Sequence, residues 1–240
     1  MIISQGVTVE QPETLLELFS RYNLDLWPAH VVTYLLAIPL LWAVAAPASP
    51  PSSLRRRLPA LVLGILLVWL GVVFQGLYAT DINRPLGFAY AVLFVSGGLA
   101  MIAAGIRGQL LVDTAPSPFS RLVGLTAIGY ALLVYPILGQ AFGHGWPESP
   151  LFGMAPCPTV IAVFGVLVLS HPRPRHLWVL PIAWTLLATL PAVDRGVWED
   201  IGMVVFGALA VVAAHLDSRS PRVEDGAAAG DAHRALPRTM

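Results

Sequence analysis

Residues 58–79 read LPALVLGILLVWLGVVFQGLYA, an apolar run without one charged side chain, directly after Arg55, Arg56 and Arg57. A helix crossing a bilayer needs roughly 20 such residues, so this stretch predicts a membrane span entered from a basic loop. Six further runs, at 28–46, 86–106, 122–142, 158–170, 176–193 and 198–216, have the same character or approach it. The whole 240-residue chain is 56% hydrophobic and 12% charged, with a mean hydropathy of +0.72. A soluble domain carries about 25% charged residues. The expected fold class is therefore an all-α integral membrane protein, a bundle of seven transmembrane helices.

The charges that remain orient it. All fourteen basic residues are arginine, and the formal net charge is zero. Eleven of the arginines fall in alternate connections or the tail; Arg21, Arg84 and Arg195 fall on the opposite side. The positive-inside rule then places the N-terminus outside and the C-terminus in the cytoplasm. Three regions follow: an extracytoplasmic segment 1–27, the helical domain 28–216, and a tail 217–240 whose Ala, Gly, Asp, Arg and Ser content predicts disorder. The acidic start lacks a basic n-region and is not expected to be a cleavable signal. Residues 12–22 read as a short helix with Leu15, Leu18, Phe19 and Tyr22 on one stripe. Such a helix lies flat on the outer membrane face; the same pattern suits one packed over the loops.

The fifth run is short. Proline is tolerated in the first helical turn but not deeper, so Pro156-Cys157-Pro158 starts the helix, with Cys157 as N-cap. His171-Pro172-Arg173-Pro174 ends it. About fourteen residues at 1.5 Å each span about 21 Å, against about 30 Å of hydrocarbon. The preceding segment 149–155 is expected to re-enter the membrane, which irregular backbone does only when buried in protein or lining a wet cavity. Half-length helices with free N–H groups mark ligand sites in several transporter folds.

Polar residues gather in the outer halves of the spans. An outward-facing pocket lined by His30, Tyr34, Gln75, Tyr135, Gln140, Cys157, Thr159 and Asp200 is expected, roofed by the loop carrying His144. Pro136 should kink the fourth span and free the carbonyl of Leu132. Each group has a plainer reading. Cys157 is also a small packed hydrophobe. Glu199 and Asp200 are also favourable residues for opening a helix, and His144 also suits a solvated loop.

Several chemistries lack their residues. Without lysine there is no Schiff base. One cysteine forms no internal disulfide. Metal-ligand spacing, a phosphate loop and a nucleophile elbow are absent. Neither a cofactor nor nucleic acid is expected, and nothing marks an enzyme. The partners expected are membrane lipid and a small solute or ion.

Four stretches together, FSRYNLDLWP at 19–28, WLGVVFQGLYATDINRP at 69–85, YPILGQAFGHGWPESPLFGMAPCPT at 135–159 and EDIGM at 199–203, resemble a bacterial multi-pass membrane family known as domain of unknown function 6064. The resemblance implies a prokaryotic inner-membrane protein. It brings no activity and no catalytic residue. The expected function is a small-solute or ion transporter or solute-binding membrane protein. The alternatives are a non-transporting sensor or assembly partner, and, third, a membrane-embedded enzyme.

Overall fold

The computed structural model describes residues 14–45, 53–113 and 115–219. Among these it is all-helical apart from two isolated bridge pairs. Helix α1 (Leu15–Asp25) precedes α2 (Trp27–Ala45), α3 (Ser53–Asp81), α4 (Arg84–Ile106), α5 (Pro118–Ala141), α6 (Pro156–Leu169), α7 (Arg175–Asp194) and α8 (Trp198–Arg219). Six of them, α2 to α5 with α7 and α8, are long and apolar enough to cross a membrane. This is the build of a multi-pass membrane protein. The expected disordered tail lies almost wholly outside the described residues, and α8 continues through Asp217 to Arg219.

Helix α6 sits at the centre. All fourteen of its residues are buried, against α5, α8, α7 and α3. Its start differs from the expectation for Cys157. Ala155, in an extended conformation, is the N-cap, and Cys157 is the second helical residue. Pro156 takes the first position because its fixed φ already suits a helix. A helix start leaves four N–H groups without partners. Pro156 and Pro158 carry no N–H, so two of those four donors do not exist. Thr159 ties the approach down: its hydroxyl accepts from Gly153 N–H at 2.9 Å and donates to the Ala155 carbonyl at 2.7 Å.

The other end is satisfied from outside the helix. The Asp113 N–H donates to the Leu169 carbonyl at 2.8 Å. Arg173 donates to the carbonyls of Val168 at 2.7 Å and Ser170 at 2.8 Å, and its remaining reach meets Asp217 at 2.6 Å. Ser120 donates to the same carboxylate at 2.8 Å. Arg56 and Arg57 similarly donate to the carbonyls of Val112 and Ile106. The arginine-bearing connections thus meet at one end of the bundle.

Two helix pairs touch backbone to backbone. A Cβ on Gly64 would lie 2.9 Å from the Gly98 carbonyl, and one on Gly98 2.7 Å from the Gly64 carbonyl. Gly124 of α5 and Gly165 of α6 repeat this reciprocal contact. Close approach through small residues is how helices associate where lipid supplies no hydrophobic drive.

Two helices change register. Residues Leu70–Tyr78 of α3 and Tyr130–Val134 of α5 are π-helical. The second lies immediately before Pro136. There the Tyr135 N–H reaches back to the Tyr130 carbonyl, so the strain expected at Pro136 becomes a wider turn.

Helix α1 packs on the protein. Thr14 opens it with a capping box: its hydroxyl accepts from Glu17 N–H, and its own N–H donates to the Glu17 carboxylate at 2.8 Å, which holds that carboxyl below its ordinary range. Leu18, Phe19 and Tyr22 are buried. Phe19 stacks on Phe74 at 5.1 Å, and the Trp69 indole donates to the Tyr22 hydroxyl at 3.0 Å. Burial pushes the Tyr22 hydroxyl pKa up. The apolar stripe therefore faces α3 rather than a lipid surface.

Arg173→Met removes the donors to two buried carbonyls and to Asp217, and should lower stability by about 2–3 kcal/mol. Arg173→Lys keeps the charge but not the planar fork, and should fall between Met and wild type in thermal unfolding of detergent-solubilised protein.

Candidate functional site

Glu199 and Asp200 form part of the single 3₁₀ turn Trp198–Asp200 that opens α8, and both are about 1% exposed. Successive residues of a 3₁₀ turn point about 120° apart, so the two carboxylates serve different neighbours. Asp200 turns to α5 and α6. Its Oδ1 accepts a hydrogen bond from the Tyr135 hydroxyl, and the Cys157 thiol lies beside it. Glu199 turns to the loop after α5, where its Oε1 is 2.7 Å from His144 Nε2.

The π turn of α5 prepares this junction. In an α-helix, residues five apart differ by about 140° around the axis. The wider register brings Tyr130 and Tyr135 together, with ring centres 6.1 Å apart. The Tyr130 hydroxyl donates to the Glu199 carbonyl at 2.8 Å. Its ring lies over Gly202, where a Cβ would come within 2.5 Å of Cε1. Gly139 does the same for the second carboxylate, since a Cβ there would be 3.2 Å from Glu199 Oε1.

Beside Asp200 opens a cavity of about 740 Å³. Tyr135, Cys157 and Asp200 form its floor; Gln75, Tyr90 and Trp184 stand on its walls. Its roof is α1, through Thr14, Leu15, Leu18 and Phe19, and not the loop 144–146. Trp184 is held edge-on by Tyr90 at 5.2 Å and Phe94 at 4.9 Å. Gln75 is carried inward by the π segment of α3 and is 1% exposed. Its Nε2 has no hydrogen-bond partner.

Of the nine residues expected to line a pocket, Gln75, Tyr135, Cys157 and Asp200 share this cavity. The other five stand elsewhere. His30 bridges Asn23 Oδ1 at 3.1 Å and the Trp27 carbonyl at 3.2 Å. Asn23 in turn donates to the carbonyls of Pro147 and Ser149. Tyr34 packs edge-on against Phe152 at 6.5 Å. Gln140 is exposed against Gly145. Thr159 is spent on the α6 start, and His144 on Glu199. Trp184 and Tyr130 belong to the site without having been expected; each lies within an apolar run, where an aromatic side chain reads as core. Among the described residues, no three His, Cys, Asp or Glu side chains converge as metal ligands do.

The family described as "Family of unknown function (DUF6064)" matches residues 12–225. The chain belongs to this family. The match takes in α1 with every span and the central short helix, so the cavity and both carboxylates lie within the matched region. No curated protein and no solved structure matches the chain.

The His144–Glu199 contact yields a stability test. Removing one partner of a buried pair leaves the other without its hydrogen bond. His144→Leu should cost about 1–3 kcal/mol, and the double variant His144→Leu/Glu199→Leu should recover most of that loss. A thermal-unfolding double-mutant cycle measures it; additive losses would show the two residues are not coupled.

Proposed function

We propose that this DUF6064 protein is a seven-span, N-out, C-in protein of a prokaryotic inner membrane. On this reading it binds a small solute in the cavity at the head of α6, as a transporter or as a solute receptor. The single observation that carries the reading is the cavity of about 740 Å³ in which a buried carboxylate, a thiol and an unpartnered amide donor converge. Its size is that of ligand pockets, about 300–1,000 Å³, and polar groups inside a membrane bundle usually face a ligand path. On the same reading the non-helical segment before α6 is re-entrant, dipping into the membrane to meet the short helix. The clustering of Arg56, Arg57 and Arg173 at the far end of the bundle supports the orientation.

The receptor form has an observation of its own. Below Thr159, α6 presents only Val160 to Leu169, all apolar or glycine and all buried. No polar path continues beneath the cavity floor along this helix. Binding capped by α1 needs no such path.

Two measurements test the reading. A reporter active only in the cytoplasm should work when fused after Leu216, and a fusion after Arg21 should be silent; the reverse pattern inverts the topology. A membrane-impermeant thiol reagent added outside intact cells should modify Cys157, the sole cysteine, and the same reagent confined to the cytoplasm should not. Labelling that appears only after denaturation would mean Cys157 is packed in protein, and the solute-binding reading would fail.

A further inference from the structure

We infer that the ligand of this cavity is an uncharged single-chain lipid with a carbonyl or ester head, which enters sideways from the bilayer between α4 and α7. This rests on the solute-binding reading above and names its ligand class.

The wall chemistry comes first. Two further polar residues line it, Asn83 and Arg195; both are exposed, Asn83 accepting from the Leu86 N–H and Arg195 donating to the Pro191 carbonyl. Apart from these and the few groups named above, the lining is apolar, with Leu18, Phe19, Phe74, Leu86, Leu187 and Ala188 among it. A hydrophilic solute would shed its water here against surfaces that return no hydrogen bonds. A hydrocarbon chain would lose nothing on leaving the bilayer.

The opening comes second. Helices α4 and α7 meet where a Cβ on Gly97 would lie 2.3 Å from Leu180, and again where Phe94 and Tyr90 hold Trp184. Beyond that point, Leu86 and Leu187 both line the cavity while remaining 48% and 47% exposed. A residue that faces the cavity and the bundle exterior at once marks a gap between the two. That gap lies between helices apolar enough to face lipid.

The head group follows from the donors left over. Gln75 Nε2 and Trp184 Nε1 are both buried on the cavity wall, and neither donates to an oxygen. The Trp184 N–H faces only the Cys157 sulfur, a weak acceptor. Buried polar groups are otherwise almost always satisfied, so two idle donors ask for an acceptor oxygen from the ligand. Asp200 closes the floor, with Glu199 behind it, and the lining cation, Arg195, is exposed and donates to the Pro191 carbonyl; together these oppose an anionic head. A cationic head would bring more donors to a wall that already has two too many. A neutral carbonyl or ester oxygen meets all three conditions.

The test uses the full chain in lipid nanodiscs with 1-oleoylglycerol carrying a photoreactive diazirine near the chain end. Labelling should map to α4 and α7 around Leu86 and Leu187. Unlabelled 1-oleoylglycerol should compete at roughly tenfold lower concentration than oleate or oleylamine, and glycerol should not compete. Gln75→Leu should weaken competition about tenfold while raising the unfolding temperature of the empty protein, because an idle buried donor is gone. Trp184→Phe, which keeps the aromatic packing, should weaken it in the same sense. Equal competition by oleate, or unchanged competition in both variants, overturns the head-group assignment. Competition by glycerol alone overturns the lipid class and leaves solute binding standing. Absence of any cavity labelling in a protein whose Cys157 still reacts from outside overturns lateral lipid entry; absence of both overturns the cavity as a binding site.

Discussion

A helix buried on all sides must have its end groups satisfied without bulk water, and α6 is such a helix. Its N-terminal solution is subtraction: prolines at 156 and 158 remove donors that would otherwise be orphaned. Its C-terminal solution is supply, from the Asp113 N–H and the Arg173 guanidinium. Both depend on neighbours. The connection after α4 has to return to Leu169, and α8 has to bring Asp217 to Arg173. The placing of the surrounding spans follows from serving a helix whose two ends are buried among them.

That shortness also creates the site. A full-length helix would carry its first turn to the surface. Here the first turn stops inside the bundle, and the volume above it is bounded by longer neighbours and covered by α1. The junction carboxylates divide the labour. Glu199 is committed to His144 and holds the loop after α5 against the start of α8. Asp200, one residue on, is left at the cavity floor with Tyr135 and Cys157. Adjacent acids on one turn thereby serve structure and site without competing.

Much of the bundle is legible in the sequence because lipid imposes long uncharged runs, and these are read from residue type alone. The short sixth helix is legible for the same reason that it is short: proline and arginine bracket it at both ends. Its first residue is not legible, because an extended Ala155 serves as cap without a side-chain donor or acceptor, which no motif marks. The stripe on α1 was visible, but amphipathicity does not say whether its apolar face meets lipid or protein; contacts with Phe74 and Trp69 do. Thr14 and Glu17, three residues apart, did carry a readable helix start. The pairing of His144 with Glu199 joins residues far apart in the chain and emerges only on folding. The π registers leave no compositional trace, so neither the convergence of Tyr130 with Tyr135 nor the aim of Gln75 could be read in advance.

Those π turns have a consequence in genetic terms. A π segment accommodates one more residue than the α-helix it interrupts. Residues 70–78 and 130–134 each lie between a part of the helix that packs against the bundle and a part that faces the site. Losing a single codon in either segment would restore ordinary α register, leaving the flanking turns in place and re-aiming the side chains within the segment by about 100°. Gln75 would swing off the cavity, or Tyr130 off the Glu199 carbonyl, while the hydropathy of the span stayed almost unchanged. The chain can absorb many apolar exchanges along these spans, yet at these two places its reading of length is strict.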